Sequence, residues 1–347
     1  MKASFVSSFS ITNALRSSTA RLQQSLPSLQ QEMVTGRHAD SGLSLGSQTA
    51  SLATLTNDIG NLDRLYDTNN RILTRMSMVQ SGMDQLNSLA ENIVSTIGVT
   101  LGDDSQKTAV KSATESALLE FTSVMNRQAD GVYLFAGDNA QTKPIADYAG
   151  SALQASFDTA FQTYFGFTKD SPATIGITEA QVNDFITTVA EPLFIGAGWT
   201  TNVSSASDNV QNARIEDGIT MGVSVSANEE AFQQIAISTI IASEFYQTEV
   251  AGDALFAAGK YAVEKASTAI SGLTKIQGQL GLTEERISRV NEGLVVQKNL
   301  FESFVVELDG VDAYDAAIEV NTLLTQIEVS YSVTSRIQNL SLMQYLR

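Results

Sequence analysis

Apolar positions recur at alternating steps of three and four along both ends of the chain. The clearest run is Leu52, Leu55, Ile59, Leu62 and Tyr66, then Leu73, Met76, Met83, Leu86, Ala90, Ile93 and Ile97. Such steps hold side chains on one face of an α-helix, and about six heptads of them predict a long coiled-coil-like helix. Asn69 and Gln80 interrupt this seam. The stretch from Gly98 to Asp104 breaks the pattern, and a second helix is expected over about 105–130, with Val110, Ala117, Phe121 and Val124 on its stripe. The C-terminal arm repeats the design through Val263, Ala266, Ile270, Leu273, Gln277, Leu280, Glu284, Ile287, Asn291, Leu294, Lys298, Phe301, Val305 and Leu308. Asp309-Gly310-Val311-Asp312 then reads as a turn, with Asp312 as N-cap of a last helix over 313–345. That helix carries Val320, Leu324, Ile327 and Tyr331 on one stripe, which drifts to Ile337 and Leu340. A matching stripe, Ile11, Leu15, Leu22, Leu26, Leu29 and Met33, opens the chain. Pro27 sits inside it, which predicts a kink or a fresh helix start, because proline removes a backbone donor and crowds the preceding turn.

Between the arms the period changes. Gly131 to Asn139 reads as a strand entering a turn, and Glu216 to Val225 as a hairpin with alternating apolar residues. Ile177, Val182, Phe185, Ile186 and Val189 approximate a short helix. Three of the four prolines and the single Trp199 lie between 140 and 200, together with a concentration of aromatics, whereas the flanks are nearly proline-free. The expected fold class is therefore mainly α: a long antiparallel coiled-coil or helical bundle built from the two arms, with an inserted α+β domain. Three parts are expected. Residues 1–40 with 312–347 form a terminal coiled-coil domain. Residues 41–140 with 228–311 form a helical rod with a β-hairpin near 131–145. Residues 141–227 form a compact insert that folds by itself.

Composition narrows the function more by exclusion than by indication. The net charge of −17, with only 21 Lys and Arg, argues against nucleic acid and anionic membrane surfaces as partners. No stretch of 18 apolar residues suggests a membrane span. The first ten residues hold one charge and no apolar core of signal-peptide length, so a cleaved signal peptide is not expected. With no cysteine and one histidine, His38, a zinc site lacks ligands and a Ser–His–Asp triad has a single candidate base, set in a polar loop. The acidic pairs Asp103/Asp104, Glu229/Glu230 and Glu284/Glu285 are sequence neighbours, which point in different directions on a helix and do not converge on a substrate. No catalytic residue, cofactor or metal is expected, and the chain does not read as an enzyme. Instead, both ends carry apolar seams that need a packing partner, since isolated helices are marginal in water. Periodicity alone leaves open whether that partner lies within the subunit or in neighbouring copies.

Three segments resemble a known family. Leu26-Pro27-Ser28-Leu29-Gln30-Gln31-Glu32-Met33-Val34-Thr35-Gly36-Arg37 is similar to the segment that precedes the first long helix of the flagellin family. Gly131-Val132-Tyr133-Leu134-Phe135-Ala136-Gly137, followed by Thr142-Lys143-Pro144, resembles the signature of its hook-associated protein 3 branch. The ending from Ile337 to Leu346 is similar to that branch as well. The resemblance spans about 1–145 and 215–347 and leaves the middle unmatched. His38-Ala39-Asp40-Ser41-Gly42 departs from the family pattern after Gly36, and Pro27 is unusual in a helix the family keeps continuous.

The resemblance implies a structural subunit of the bacterial flagellum that joins hook to filament, with flagellin or a minor filament flagellin as the alternative. It implies an outward-facing insert over 141–227 and termini that order on polymerisation, which selects the intersubunit reading of the seams. The assembly residues would be Leu15, Leu22, Leu26, Leu29 and Met33 on the N-terminal stripe, and Val320, Leu324, Ile327, Tyr331, Ile337 and Leu340 on the C-terminal one. The implied partners are further copies of the chain in a ring, hook-associated protein 1, flagellin and an export chaperone. The implied location is the extracellular flagellum, reached through the flagellar type III apparatus without a cleaved signal. A hydrolase with its site in the insert, and a secreted adhesin or translocator, are the readings from other classes.

Overall fold

A computed structural model describes residues 8–101 and 104–345. Helices dominate it. α1 runs Ser8–Thr35, α2 Ser41–Leu45, α3 Thr49–Thr100 and α4 Lys107–Met125. A small hairpin follows, β1 (Gln128–Ala129) and β2 (Val132–Tyr133). The middle contains α5 (Ala152–Phe165), α6 (Glu179–Phe185), α7 (Glu191–Phe194) and a second hairpin, β3 (Asn212–Glu216) with β4 (Ile219–Gly222). The chain finishes with α8 (Glu230–Tyr246), α9 (Gly252–Asp309) and α10 (Ala313–Tyr345). The class is the expected one, mainly α with small β elements.

Several boundaries differ from expectation for local reasons. α1 is continuous through Pro27. Pro27 lies on the exposed face, where water can satisfy the Gln23 carbonyl that the missing N–H leaves free. α4 stops at Met125 rather than near 130, because the chain turns into β1. Of the expected strand over 131–139 only Val132 and Tyr133 pair, across a turn whose two residues, Asp130 and Gly131, both have positive φ. The rest of that segment is irregular. The helix near 178–189 starts with a capping box between Thr178 and Gln181, and widens into one π turn over Ile186–Ala190 before Pro192 opens α7. α9 begins eleven residues before Val263.

The chain divides into two compact units, one of residues 1–64 with 293–347 and one of 65–292. The larger unit is organised around α8. Every residue from Ala231 to Tyr246 is buried, so this helix is enclosed on all sides. α4 packs along it, and α3 supplies Met76, Met83, Leu86, Ala90, Ile93 and Ile97. α9 contributes Ala266, Leu273, Leu280 and Ile287, one residue per heptad. The 141–227 segment belongs to this same core. Phe161 and Phe185 lie 6.2 and 6.1 Å from Phe245 of α8 by ring centroid, and Phe157 meets Phe185 edge-on at 5.6 Å. The proline- and aromatic-rich composition that marks the segment as a separate domain instead reflects the filling of one shared aromatic core.

Within the smaller unit α1 and α10 pack along their lengths and run antiparallel. Gln23 Nε2 donates to Tyr331 Oη at 2.6 Å near the middle of both helices. Where α1 finishes and α10 begins, Val311 N donates to Gly36 O at 2.9 Å and His38 N to Asp309 O at 3.1 Å.

Candidate assembly interface

The terminal pair is shaped by how each helix ends. α1 terminates on Gly36, whose φ of +64° is the left-handed cap conformation that side chains resist, and whose N–H donates to Glu32 O at 2.8 Å. Glu32 then turns its carboxylate to Ala39 N at 3.0 Å. Opposite, a Cβ on Gly310 would lie 2.2 Å from Val306 O, so only glycine lets α9 close there. Asp312 Oδ1 accepts from Tyr314 N at 2.8 Å and begins α10. The Thr35-Gly36-Arg37 motif and the Asp309-Gly310-Val311-Asp312 turn thus form one bridged corner, Arg37 pairing with Gly310.

Each expected assembly residue has a definite place. Leu15, Leu22, Leu26, Leu29 and Met33 are half-buried along one face of α1. On α10 the stripe splits. Val320 and Ile327 are buried and Ile337 half-buried, whereas Leu324 and Tyr331 are 40% and 55% exposed. The covered face runs Ala316, Val320, Leu323, Ile327, Ser330, Thr334 and Ile337, so Leu324 and Tyr331 stand on its flank. The side chain of Leu340 lies outside the described residues. Tyr314, Ile318, Val329 and Val333 are also exposed on α10, as are Val34, Val296, Leu300, Phe304 and Val306 elsewhere in this unit. The unit thus covers one apolar seam and leaves others in solvent.

The second motif of the resemblance, Gly131 to Gly137, lies in the larger unit and is a packing device. Phe135 is fully buried, edge-on to Phe232 at 5.6 Å, and its ring fills the space beside Gly82 of α3. Its carbonyl accepts from Ala227 N at 2.7 Å. Gly137 has φ +59°, and a Cβ there would sit 2.5 Å from Ser207 O and 2.6 Å from Asn209 O. Only glycine lets these two segments approach.

Sequence reasoning missed one charged cluster, around Glu244. This carboxylate is buried in α8 and accepts from Tyr148 Oη at 2.9 Å, Gln154 Nε2 at 3.3 Å, Lys169 Nζ at 2.6 Å and the Gln247 amide. Lys169 also pairs with Asp158 at 2.7 Å. Burial, then the adjacent Glu244 charge, pushes the Tyr148 phenol well above its ordinary range. Burial alone would favour the neutral Lys169 amine, but its bonds to Asp158 and Glu244 win and raise it. Tyr148, Gln154, Glu244 and Gln247 line a cavity of about 710 Å³ beside α4 and α8, with Leu118 and Leu119 on its wall. With four donors on Glu244 and two carboxylates on Lys169, the groups are engaged with one another as a fastening rather than poised as acid or base. His38 sits 3.8 Å from Glu32 in the terminal corner, and among the described residues no group of three His, Cys, Asp or Glu is placed to hold a metal ion. Among those residues, too, no helix is long and apolar enough to cross a membrane.

Two family models match the sequence. The bacterial flagellin N-terminal helical region matches residues 6–140, and the bacterial flagellin C-terminal helical region matches residues 263–346. Together they cover more than half of the chain, from both ends.

The chain belongs to the flagellin family.

Its role is accordingly structural, in the bacterial flagellum. No curated protein matches the sequence. Among solved structures, one described as a flagellar hook-associated protein from Vibrio parahaemolyticus superposes with a TM-score of 0.55 at 11% identity. That match covers 76% of this chain and 97% of the other, and shows a shared fold. FlgL of Bacillus cereus matches with a TM-score of 0.47 at 12% identity, over 74% of this chain and 98% of its own. In this flagellin-family chain the matched regions are the two helical arms, and 141–262 lies outside both models.

Proposed function

We propose that this chain is the subunit that joins hook to filament, assembling into a ring of identical copies through its terminal helices. The observation that carries the reading is the terminal unit's surface: α1 and α10 cover one seam between them, while Tyr314, Ile318, Val329 and Tyr331 remain exposed along α10. A two-helix ribbon has too few neighbours to bury its flanks, and adjacent copies supply them. The Tyr133-Leu134-Phe135-Ala136-Gly137 segment and the Ser341-Leu342-Met343-Gln344-Tyr345-Leu346 ending favour the junction branch over filament flagellin. Hook-associated protein 1 on one side, flagellin on the other and an export chaperone before assembly complete the proposed set of partners.

Immunogold labelling of intact flagella separates the two flagellar readings. Label confined to the hook–filament boundary is the expected result. Label along the whole filament would replace the junction reading with that of a flagellin.

A further inference from the structure

The polar interruptions of the two long seams face one another. Gln80 Nε2 donates to Gln277 O at 3.1 Å, and Asn69 meets Asn291. The second pairing involves a third element. Asn69 is fully buried, and its amide donates to Asn291 Oδ1 at 2.9 Å and to the backbone carbonyl of Ile215 at 2.9 Å. A backbone carbonyl can only accept, so the group that faces it is the NH2, which fixes the orientation of the side chain. Asn291 turns its own NH2 to Asn70 Oδ1 at 3.0 Å and leaves its oxygen for Asn69.

Ile215 is the residue at which the β3–β4 ladder jumps, since Arg214 pairs with Thr220 and Glu216 with Ile219. An extra residue of this kind leaves the ladder and re-aims its side chain. Here the Ile215 side chain is fully buried, and the carbonyl is held by Asn69. The arrangement carries a cost, because Asn69 Oδ1 is buried without a hydrogen-bond partner. Leucine would remove that orphan, but would leave the Ile215 carbonyl and Asn291 Oδ1 without the donor that Asn69 gives them. A buried asparagine in a helical seam specifies position at the expense of stability.

We propose that Asn69 is a positioning residue that locks the bulged β3–β4 hairpin onto the α3–α9 pair. One amide holds the hairpin by the Ile215 carbonyl and α9 by Asn291, so the seat of the hairpin and the local α3–α9 register are set by a single side chain. The inference goes beyond the assembly reading and stands independently of it.

The test is amide hydrogen exchange on the full-length chain, read at 212–222 and along α3 and α9, in the variants Asn69→Leu, Asn69→Ala and Asn291→Leu. Both Asn69 variants should speed exchange of the hairpin amides about tenfold, the effect of losing one buried hydrogen bond. In Asn69→Leu the helix amides should keep their protection, while the melting temperature falls modestly because the Ile215 carbonyl and Asn291 Oδ1 lose their donor. Asn291→Leu leaves the bond to Ile215 in place, so its hairpin should exchange as slowly as in the parent. Unchanged hairpin exchange in the Asn69 variants would overturn the proposal. So would equal acceleration in all three, which would mark a general loss of packing instead of a lock. The alanine variant carries the same readout should leucine prevent folding.

Discussion

The two units use the same kind of helix for opposite ends. In the larger one the α3 seam is closed: Met76, Met83, Leu86, Ala90, Ile93 and Ile97 are all buried, and α8 beneath them has no exposed face. In the smaller one the same helix carries Leu52, Leu55 and Ile59 only half-buried, and α9 leaves Val296, Leu300 and Phe304 in solvent. Periodicity is equally regular in both. What differs is the number of neighbours. The larger unit surrounds its seam with α4, α8 and an aromatic cluster, whereas the terminal unit offers each helix few partners within the chain. Regular heptads therefore indicate a face that seeks burial, and say nothing about whether one chain can supply it.

The comparison breaks most sharply at the aromatic core. Phe185→Ala should cost the larger unit about 3–5 kcal/mol, since the ring is fully buried among Phe157, Phe161 and Phe245. Thermal or denaturant unfolding followed by the fluorescence of Trp199, itself fully buried, reads that loss. A loss below about 1 kcal/mol would mean that the 141–227 segment contributes little to the shared core.

Gly137→Ala should be next, at about 1–3 kcal/mol, because it combines a positive φ with a Cβ driven against two backbone carbonyls. The same denaturation curve measures it, and a neutral result would show that the 205–209 segment yields freely.

Alkaline pH should act on the larger unit. Tyr148, Lys169 and Tyr261 all have raised pKa values there. A group raised by folding contributes stability that is fully present below its unfolded pKa and is lost as pH rises through the folded one. Stability at this unit should therefore be flat at neutral pH and fall above about pH 10, the unfolded range of tyrosine and lysine. Lys169→Met should flatten part of that fall.

The smallest effect on the free chain should come from the terminal unit. Leu324→Asp replaces a side chain that is 40% exposed, so the melting temperature of dilute protein should barely move. Assembly should nevertheless fail, because a neighbouring copy would have to bury an unpaired carboxylate. Sedimentation of the assembling protein checks the second half. A large drop in the melting temperature would show that α10 already buries Leu324 within the chain.

Much of this was legible beforehand, for identifiable reasons. The long helices α3, α9 and α10 follow from unbroken three–four spacing, and the corner between α9 and α10 from Gly310 and the Asp312 cap. The β3–β4 hairpin was visible through Asp217-Gly218, with Gly218 at φ +75°. By contrast, the central place of α8 was hidden, because a helix buried on every side has no polar face to create a period. Glu244 within it reads as a surface charge until Lys169, Tyr148 and Gln154 are brought to it from 75 to 96 residues away. The split of the α10 stripe was missed because Leu323 and Leu324 are adjacent, and counting steps cannot say which of two neighbouring leucines faces the partner helix.

The sequence by itself determined the long helices, their approximate ends and the family, since spacing, caps and motifs are local properties of the chain. Tertiary structure alone decided what those helices face. It brought 141–227 and α8 into one core, matched Asn69 to Asn291 across an intervening 221 residues and set Ile215 O against Asn69, and left part of the terminal seams uncovered. The physical reason is that an apolar stripe or a buried amide specifies only that a complementary surface must exist, and the identity of that surface depends on which distant segments the whole fold brings alongside.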